Sequence, residues 1–209
     1  KIQPAIFDEA TEAAKLLVMI KKVEIENNNN VSSSVIQHFQ ALTYRTISLL
    51  PAWQTASLQN LTLKSDISGV RGLAGSNTII VRFGNLSDEE YVSMFIHELG
   101  HVSDLGGLKP GEKKNPSLFK DGHQTIWETD LSTDYYRLSW IDSTTKLSTT
   151  IKEDFCSLYG QTDPFEDFAE CFNLYFLNGA TFKKMASVND VLQKKYDFDY
   201  DSTCFIFEK

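Results

Sequence analysis

The segment from Ser87 to His101 constrains the fold more than any other part of the chain, because it combines a helix start signal with two histidines one helical turn apart. Ser87 and Glu90 form a capping box, in which the serine side chain accepts from the Glu90 amide and the Glu90 carboxylate accepts from the Ser87 amide. We therefore expect a helix that begins near Asp88, includes His101 and ends around Gly106–Gly107, since glycine suits a helix end.

The spacing of the two histidines on this helix predicts a metal site. His97 and His101 are four residues apart, so their imidazoles project from one face and can bind a single ion. Glu98 points sideways from the pair, where its carboxylate can take a proton from the attacking water in a zinc hydrolase. The alternative is an ordinary pair of helix histidines beside a glutamate, but the match falls on a well-capped helix.

A catalytic zinc ion takes three protein ligands, so a third is required. Asp104, Glu166 and Glu170 are the candidates. Asp163 and Pro164 start a later helix, in which Glu166 would complete a second capping box and share one stripe with Glu170. We assign Glu166 as the ligand, with Glu170 and Asp104 behind the ligands, where Glu170 accepts the other ring N–H of a histidine. Asp104 as the third ligand is the alternative.

The rest of the chain predicts a mixed α+β fold. Helical spacing favours helices over residues 7–22, 35–50 and 182–195, and over 164–178 with an end at Asn178-Gly179; strand patterns cover residues 58–64 and 77–83, with glycines 69, 72 and 75 in a loop between them. Residues 108–150 form a long, partly helical excursion. This excursion contains four aromatic residues that either line substrate pockets or pack the core of a second lobe: Trp127, Tyr135, Tyr136 and Trp140. His123 is expected at the surface.

Composition excludes several classes of protein. The net charge of −8 over 209 residues, without clustered Lys and Arg, argues against a nucleic-acid partner, and no apolar run is long enough to span a membrane.

Three cysteines are too few for a disulfide framework and leave the redox compartment open. The chain starts at Lys1 without a signal segment, so we expect a trimmed form of a longer precursor, and export stays open.

The metal helix and the later helix resemble the anthrax lethal-factor family of gluzincin peptidases, which also contains the clostridial Pro-Pro endopeptidases. The similar stretches lie within residues 69–106 and 155–180; they are Gly72-Leu73-Ala74-Gly75-Ser76, Phe95-Ile96-His97-Glu98-Leu99-Gly100-His101-Val102-Ser103-Asp104, Ser157-Leu158-Tyr159-Gly160 and Glu166-Asp167-Phe168-Ala169-Glu170-Cys171-Phe172. The resemblance implies one Zn²⁺ per chain, bound by His97, His101 and Glu166. It gives Glu98 the role of general base and Tyr159 that of a donor to the oxyanion.

The same resemblance implies a zincin-like (gluzincin) metallopeptidase fold, with a small twisted sheet, an active-site helix and a mostly helical C-terminal lobe. Residues 1–106 would form the N-terminal lobe and residues 107–209 the C-terminal lobe of one catalytic domain. The strand from Ser76 to Phe83 would be the edge strand that binds an extended peptide, and its predicted substrate-binding residues are Gly75, Ser76, Asn77, Thr78 and Ile79.

The resemblance also bears on biological role. The chain differs from the proline-specific members in Leu99-Gly100 between the histidines and in a longer segment between the motif blocks. It is therefore closer to the lethal-factor type, an exported, secreted bacterial toxin or effector protease that acts on a host protein. A non-catalytic binding module with a zincin fold is the alternative, although such a module has no chemical need for Glu98 and Tyr159.

Overall fold

The structure, a computed structural model, describes residues 20–108 and 115–204, without the side chains of residues 52, 53 and 199–204. The described chain is a mixed α+β fold, as expected from the sequence. In chain order the strands and helices are β1 (Lys22–Glu26), α1 (Ser33–Ser48), α2 (Ala52–Thr55), β2 (Asn60–Lys64), β3 (Gly72–Ala74), β4 (Thr78–Arg82), α3 (Asp88–Val102), β5 (Pro116–Asp121), β6 (Gln124–Trp127), α4 (Ser132–Tyr136), α5 (Pro164–Ala186) and α6 (Asp190–Cys204).

The main sheet has four strands in the order β1-β2-β4-β3. The first three are parallel, and β3 pairs antiparallel with β4. Burial alternates along β2 and β4, so Leu61, Leu63, Ile79 and Val81 face the core while their neighbours are half-buried. The two predicted strands are thus confirmed, but the predicted loop between them contains the edge strand β3, which is too short and glycine-rich to show a strand pattern.

Helix α3 begins at Asp88 as the sequence predicts, but the α-helix ends at Val102, before the predicted end at Gly106–Gly107. Ser87 Oγ accepts from Glu90 N at 3.2 Å and Glu90 Oε2 accepts from Ser87 N at 2.9 Å, which completes the capping box. Beyond Val102 the chain continues as one π-helical turn, Ser103–Gly107. The buried face of α3 consists of residues at helical spacing, which are Tyr91, Phe95, Leu99 and Val102.

The remaining helix predictions had mixed outcomes. Helix α1 is confirmed, with Ser32 as its N-cap. Residues 7–19 of the first predicted helix lie outside the described residues, but Lys22 begins a strand instead. Helix α5 does not end at Asn178-Gly179: Asn178 is non-helical (φ −149°, ψ 52°), and helical structure resumes beyond this bend to Ala186. The last helix accordingly begins at Asp190 rather than Phe182.

The predicted excursion, residues 108–150, contains the β5-β6 hairpin and the short helix α4 in its described part. Tyr135, Tyr136 and Trp140 are at most 1 % exposed and pack in the core, so they do not line a pocket. His123 is exposed, as predicted. Within residues 20–108 and 115–204, no helix is sufficiently long and apolar to cross a membrane.

Candidate metal and catalytic site

Helices α3 and α5 approach closely at Gly100, and this contact places the site residues together. A Cβ at Gly100 would lie 3.0 Å from the Cα of Ala169 and 3.3 Å from the Cβ of Phe172, so a larger residue would force the helices apart. One turn away, Asn173 Nδ2 donates to Ser93 Oγ at 3.1 Å and links the same two helices. The histidines of α3 therefore face the glutamates of α5.

Three ligand atoms converge between these helices. His97 Nε2 lies 3.2 Å from His101 Nε2, and Glu166 Oε2 lies 3.0 Å and 3.5 Å from these two nitrogens. Atoms bound about 2.0–2.2 Å from a tetrahedral zinc ion lie roughly 3.3–3.6 Å from one another, so the observed triangle is close to the size that zinc requires. Among the described residues, this is the group of His, Cys, Asp and Glu side chains that is arranged to hold a metal ion.

The hydrogen bonding of Glu166 also fits a cation. Its Oε1 accepts from the Tyr159 hydroxyl at 3.1 Å, whereas the buried Oε2 has no well-formed hydrogen bond although both imidazoles are near. A buried carboxylate oxygen without a proper donor is costly unless a cation neutralises it. The predicted ligand set therefore suits a zinc ion that would occupy the space between the three atoms.

Glu170 lies behind His97, where the sequence predicted it. Its Oε1 is 2.8 Å from His97 Nδ1. Burial of Glu170 raises the pKa of its carboxyl, but hydrogen bonds with His97 and Ser157 outweigh that effect and lower it, so the group is ionised and can only accept. When the His97 ring is neutral, as metal binding requires, its proton is then on Nδ1 and the lone pair on Nε2 faces the metal position.

Asp104, the other candidate ligand, points away from this triangle. Both of its carboxylate oxygens accept from the Tyr136 hydroxyl at 2.6 Å, in a position that is 1 % exposed. Burial raises the pKa of Asp104 to about 7, even though hydrogen bonds from Tyr136 and Ser132 and the nearby His101 act in the opposite direction. Asp104 is thus a buried group one turn beyond His101 and is not part of the metal-binding triangle.

Glu98 lies beside the triad of metal-binding residues (His97, His101 and Glu166), against the edge strand β3. It is 6 % exposed, and a Cβ built on Gly72 would be 2.0 Å from its Oε1 and 2.6 Å from its Cδ. Glycine at this position therefore makes room for the carboxylate. Burial raises the pKa of Glu98, although the charges of His101 and His97 partly oppose that rise. A raised pKa suits a group that accepts a proton and later returns it.

Tyr159 faces the site from a short 3₁₀ turn, Tyr159–Gln161, that precedes α5. Its ring lies 6.0 Å from the His97 ring, and its hydroxyl donates to Glu166. Burial and the Glu166 charge raise the pKa of Tyr159 to about 12, so the phenol keeps its proton at neutral pH and remains a hydrogen-bond donor. The residue is 55 % exposed, so an incoming substrate can reach it.

The carboxylates around His97 perturb the titration of its imidazole. Burial alone would lower its pKa, but the adjacent Glu166 carboxylate, the hydrogen bond with Glu170 and the charge of Glu98 raise it to about 9. In the absence of a metal, this imidazole therefore holds a second proton that zinc would have to displace.

The triad opens into a cleft of about 840 Å³. Ser93 and Met94 line it on one side of the histidines, Leu105 and Asp121 line it on the other, and β3 forms one wall. The cleft thus extends in both directions from the metal position.

The predicted substrate-binding residues do not lie at this cleft, which corrects the sequence interpretation. Strand β4 pairs with β2 on one side and β3 on the other, so Thr78 is an interior strand residue and Ile79 is completely buried. Gly75, Ser76 and Asn77 form the β3–β4 turn, and none of the five residues lines the cleft. The edge position belongs to β3, because the β3–β4 hairpin places β4 between β2 and β3.

The hydrogen bonds of β3 show which of its backbone groups face the cleft. Gly75 N donates to Thr78 O at 3.0 Å and Arg82 N donates to Arg71 O at 2.8 Å. Since pairing alternates along an antiparallel ladder, Leu73 also pairs with β4, and the N–H and C=O groups of Gly72 and Ala74 point to the open edge.

Sequence reasoning missed three features of this site. They are the edge role of β3, the contact between Gly72 and Glu98, and a disulfide bond between Cys156 and Cys171. Glycines 72 and 75 were the available signal for the first two, but glycine marks loops and close contacts alike. In comparisons with known proteins, no protein-family model and no curated protein sequence matches the chain.

Proposed function

We propose that this chain is a zinc-dependent endopeptidase of the gluzincin type, with a zincin-like fold. The observation that carries the proposal is the convergence of His97 Nε2, His101 Nε2 and Glu166 Oε2 within 3.5 Å of one another. Next to this triangle lies Glu98, a buried carboxylate at the edge of the sheet. Three ligands and an adjacent acid-base group are the set that zinc peptidases require.

Each residue then has one task in peptide hydrolysis. Zinc, when bound by the triad, would supply Lewis acidity towards the scissile carbonyl and the attacking water. Glu98 takes the proton from the water as it attacks and delivers it to the leaving amine, for which its raised pKa is suited. Tyr159 donates a hydrogen bond to the oxygen that becomes negatively charged, and Glu170 holds His97 in the tautomer that binds metal.

Strand β3 supports a peptide substrate in extended conformation. The N–H and C=O groups of Gly72 and Ala74 face the open edge, so a substrate strand can add to the sheet directly above Glu98. Backbone pairing of this kind recognises any extended peptide. Because the cleft continues on both sides of the triad, it has room for a chain that passes through, which favours an endopeptidase over an exopeptidase.

The disulfide bond favours an exported protein. Disulfides persist in oxidising compartments and are rare in the reducing cytosol, and this one adjoins the site. We therefore propose that the protein is secreted. Action as a toxin or effector on a host-cell protein remains a prediction from the family resemblance.

Metal analysis combined with a peptide-library digest tests the function. The protein is stripped with a chelator, reloaded with zinc and incubated with the library in both states. We expect one zinc ion per chain and cleavage only in the loaded state, with cuts inside the peptides. A protein that binds one zinc ion and leaves the library and protein substrates intact would instead be a binding module, and a protein that binds no zinc would contradict both the metal site and the activity.

A further inference from the structure

The segment that carries Tyr159 is fixed to α5 by the disulfide bond between Cys156 and Cys171. Cys171 directly follows Glu170 and is fully buried, whereas Cys156 is half-buried and lies three residues before Tyr159. The bond therefore joins the chain on the N-terminal side of the proposed oxyanion donor to the helix that carries both site glutamates.

On its C-terminal side, Tyr159 is followed by Gly160, which is buried against Asp167 and Glu170 of α5. On its N-terminal side, the noncovalent contacts between the disulfide and Tyr159 are weaker. Leu158 is 83 % exposed, so apolar packing contributes little there. Ser157 hydrogen-bonds to Glu170 and Tyr159 to Glu166, both on α5. Such bonds at an exposed position compete with water and hold a segment only weakly. The disulfide is thus the covalent constraint that keeps the N-terminal side of this segment on the helix.

The metal ligands are held by different contacts. Helix α3 is joined to α5 by the close approach at Gly100 and by the Ser93–Asn173 hydrogen bond, and Glu170 orients His97. The Gly100 and Ser93–Asn173 contacts, which hold the two helices together, do not involve the segment from Cys156 to Tyr159, and Glu170 keeps its bond to His97 without Ser157. Loss of the disulfide should therefore release Tyr159 while the metal-binding triangle persists.

We propose that the Cys156–Cys171 disulfide positions Tyr159 for catalysis, so that reduction of this bond lowers turnover without removing the metal. The inference rests on the proposed peptidase function. It makes the redox state of the surroundings a control on the enzyme: the protein is fully active where disulfides persist and is slowed where dithiols are abundant.

The reductant is a small dithiol, and the reaction balances in two steps. One thiolate of the dithiol attacks the half-buried Cys156 Sγ, which breaks the S–S bond and releases Cys171 as a thiolate. The second thiol of the reductant then attacks its own mixed disulfide and releases Cys156. The dithiol is oxidised to a cyclic disulfide, and its two electrons and two protons end on Cys156 and Cys171 as thiols.

The test uses the native chain in two redox states. One sample is reduced with dithiothreitol, freed of reductant without air and reloaded with zinc; the other stays oxidised. Three quantities are compared: kcat and KM for a cleaved peptide, zinc content, and amide hydrogen exchange over residues 157–162 and 165–176. The matched control is Tyr159→Phe, which loses the hydroxyl but keeps the disulfide.

We expect reduction to lower kcat by about 10²–10³-fold, as loss of an oxyanion donor does, with KM and zinc content nearly unchanged. Exchange should rise over residues 157–162 more than over 165–176. In Tyr159→Phe, kcat should already be low and reduction should lower it no further. A merely structural disulfide would lower kcat in Tyr159→Phe as well and would release zinc.

Unchanged kcat and unchanged exchange over residues 157–162 after reduction would overturn the proposal. The exchange measurement is made on metal-free protein as well, so it does not depend on activity. If the oxidised, zinc-loaded protein cleaves no peptide, the peptidase function fails, and the exchange result alone decides whether the disulfide holds the Tyr159 segment.

Discussion

The Glu98 carboxylate lies against the backbone of Gly72, so closely that a Cβ at residue 72 would sit 2.0 Å from Glu98 Oε1. This contact sets the proposed general base beside the strand edge where a substrate backbone would pair. It joins the sheet to the metal helix at the reacting position. The contact is possible only because residue 72 is a glycine and has no side chain.

Gly72→Ala is therefore expected to displace the Glu98 carboxylate and to lower kcat by about 10²-fold, the cost of misplacing a catalytic group by about 1 Å. Zinc affinity should stay nearly unchanged, because the three atoms nearest to a Cβ at Gly72 all belong to Glu98, which is not a proposed ligand. Gly75→Ala is the matched control, since a Cβ there meets nothing within 4 Å. Steady-state kinetics on both variants checks the prediction, and equal kcat values for the two would contradict it.

The third ligand is tested by zinc affinity. Glu166→Ala removes an atom of the metal triangle, so the affinity should fall by more than about 100-fold. Asp104→Asn keeps an oxygen acceptor for the Tyr136 hydroxyl and lies outside the triangle, so its effect should be much smaller. Competition titration against a fluorescent chelator measures both values. A larger loss in Asp104→Asn would assign the third ligand to Asp104.

Zinc binding should release a proton from His97 at neutral pH. In the metal-free protein, the adjacent carboxylates of Glu166 and Glu170 overcome the effect of burial and raise the pKa of His97 from 6.5 to about 9. The apparent zinc affinity should therefore rise about tenfold per pH unit up to about pH 9 and then level off. Calorimetry in buffers of different ionisation enthalpy counts the protons released when zinc binds. If no proton were released at pH 7, the raised pKa of His97 would be contradicted.

The same shift predicts how the metal-free protein responds to pH. Because the pKa of His97 is raised in the folded state, its contribution to stability is complete below about pH 6.5 and is lost as the pH rises through about 9. Thermal denaturation of metal-free wild-type protein should show a falling Tm over this window, and Glu170→Gln should weaken the fall.

Substrate pairing along β3 is tested at Ala74. Proline there removes the N–H that faces the open edge and leaves the bonds between Leu73 and β4 in place. We expect KM to rise by about three- to tenfold, because one hydrogen bond between substrate and enzyme is lost, and we expect little change in Tm. Leu73→Pro, which removes an N–H that pairs with β4, should instead lower Tm. An unchanged KM in Ala74→Pro would exclude substrate pairing at this edge.

The parts of the site that follow from local sequence were predictable. The capping box at Ser87, the cap at Asp163 and the four-residue histidine spacing are signals read within one or two turns, and the structure has the corresponding helices. The second capping box was wrong in one detail. Asp163 accepts from the amides of Phe165 and Glu166, but the Glu166 side chain turns to the histidines instead of back to the cap.

The parts that depend on contacts between distant segments were not predictable. The edge position of β3 follows from strand order, which a three-residue strand of Gly72, Leu73 and Ala74 cannot reveal. The pairing of Cys156 with Cys171 among three cysteines requires knowledge that Cys156 lies against α5, the helix that contains Cys171. The bend at Asn178 looked like a helix end because Asn-Gly commonly ends helices, yet Phe182 and Ala186 continue the buried face beyond it.

The most direct test of the central claim is peptide cleavage by zinc-loaded wild-type protein and by Glu98→Gln, with the zinc content of both determined on the same samples. Glutamine has nearly the shape of glutamate but cannot accept the proton from water. We predict one zinc ion per chain in both proteins and cleavage that is lost only in Glu98→Gln. Equal cleavage by the two proteins, or wild-type protein that binds no zinc, would contradict the account.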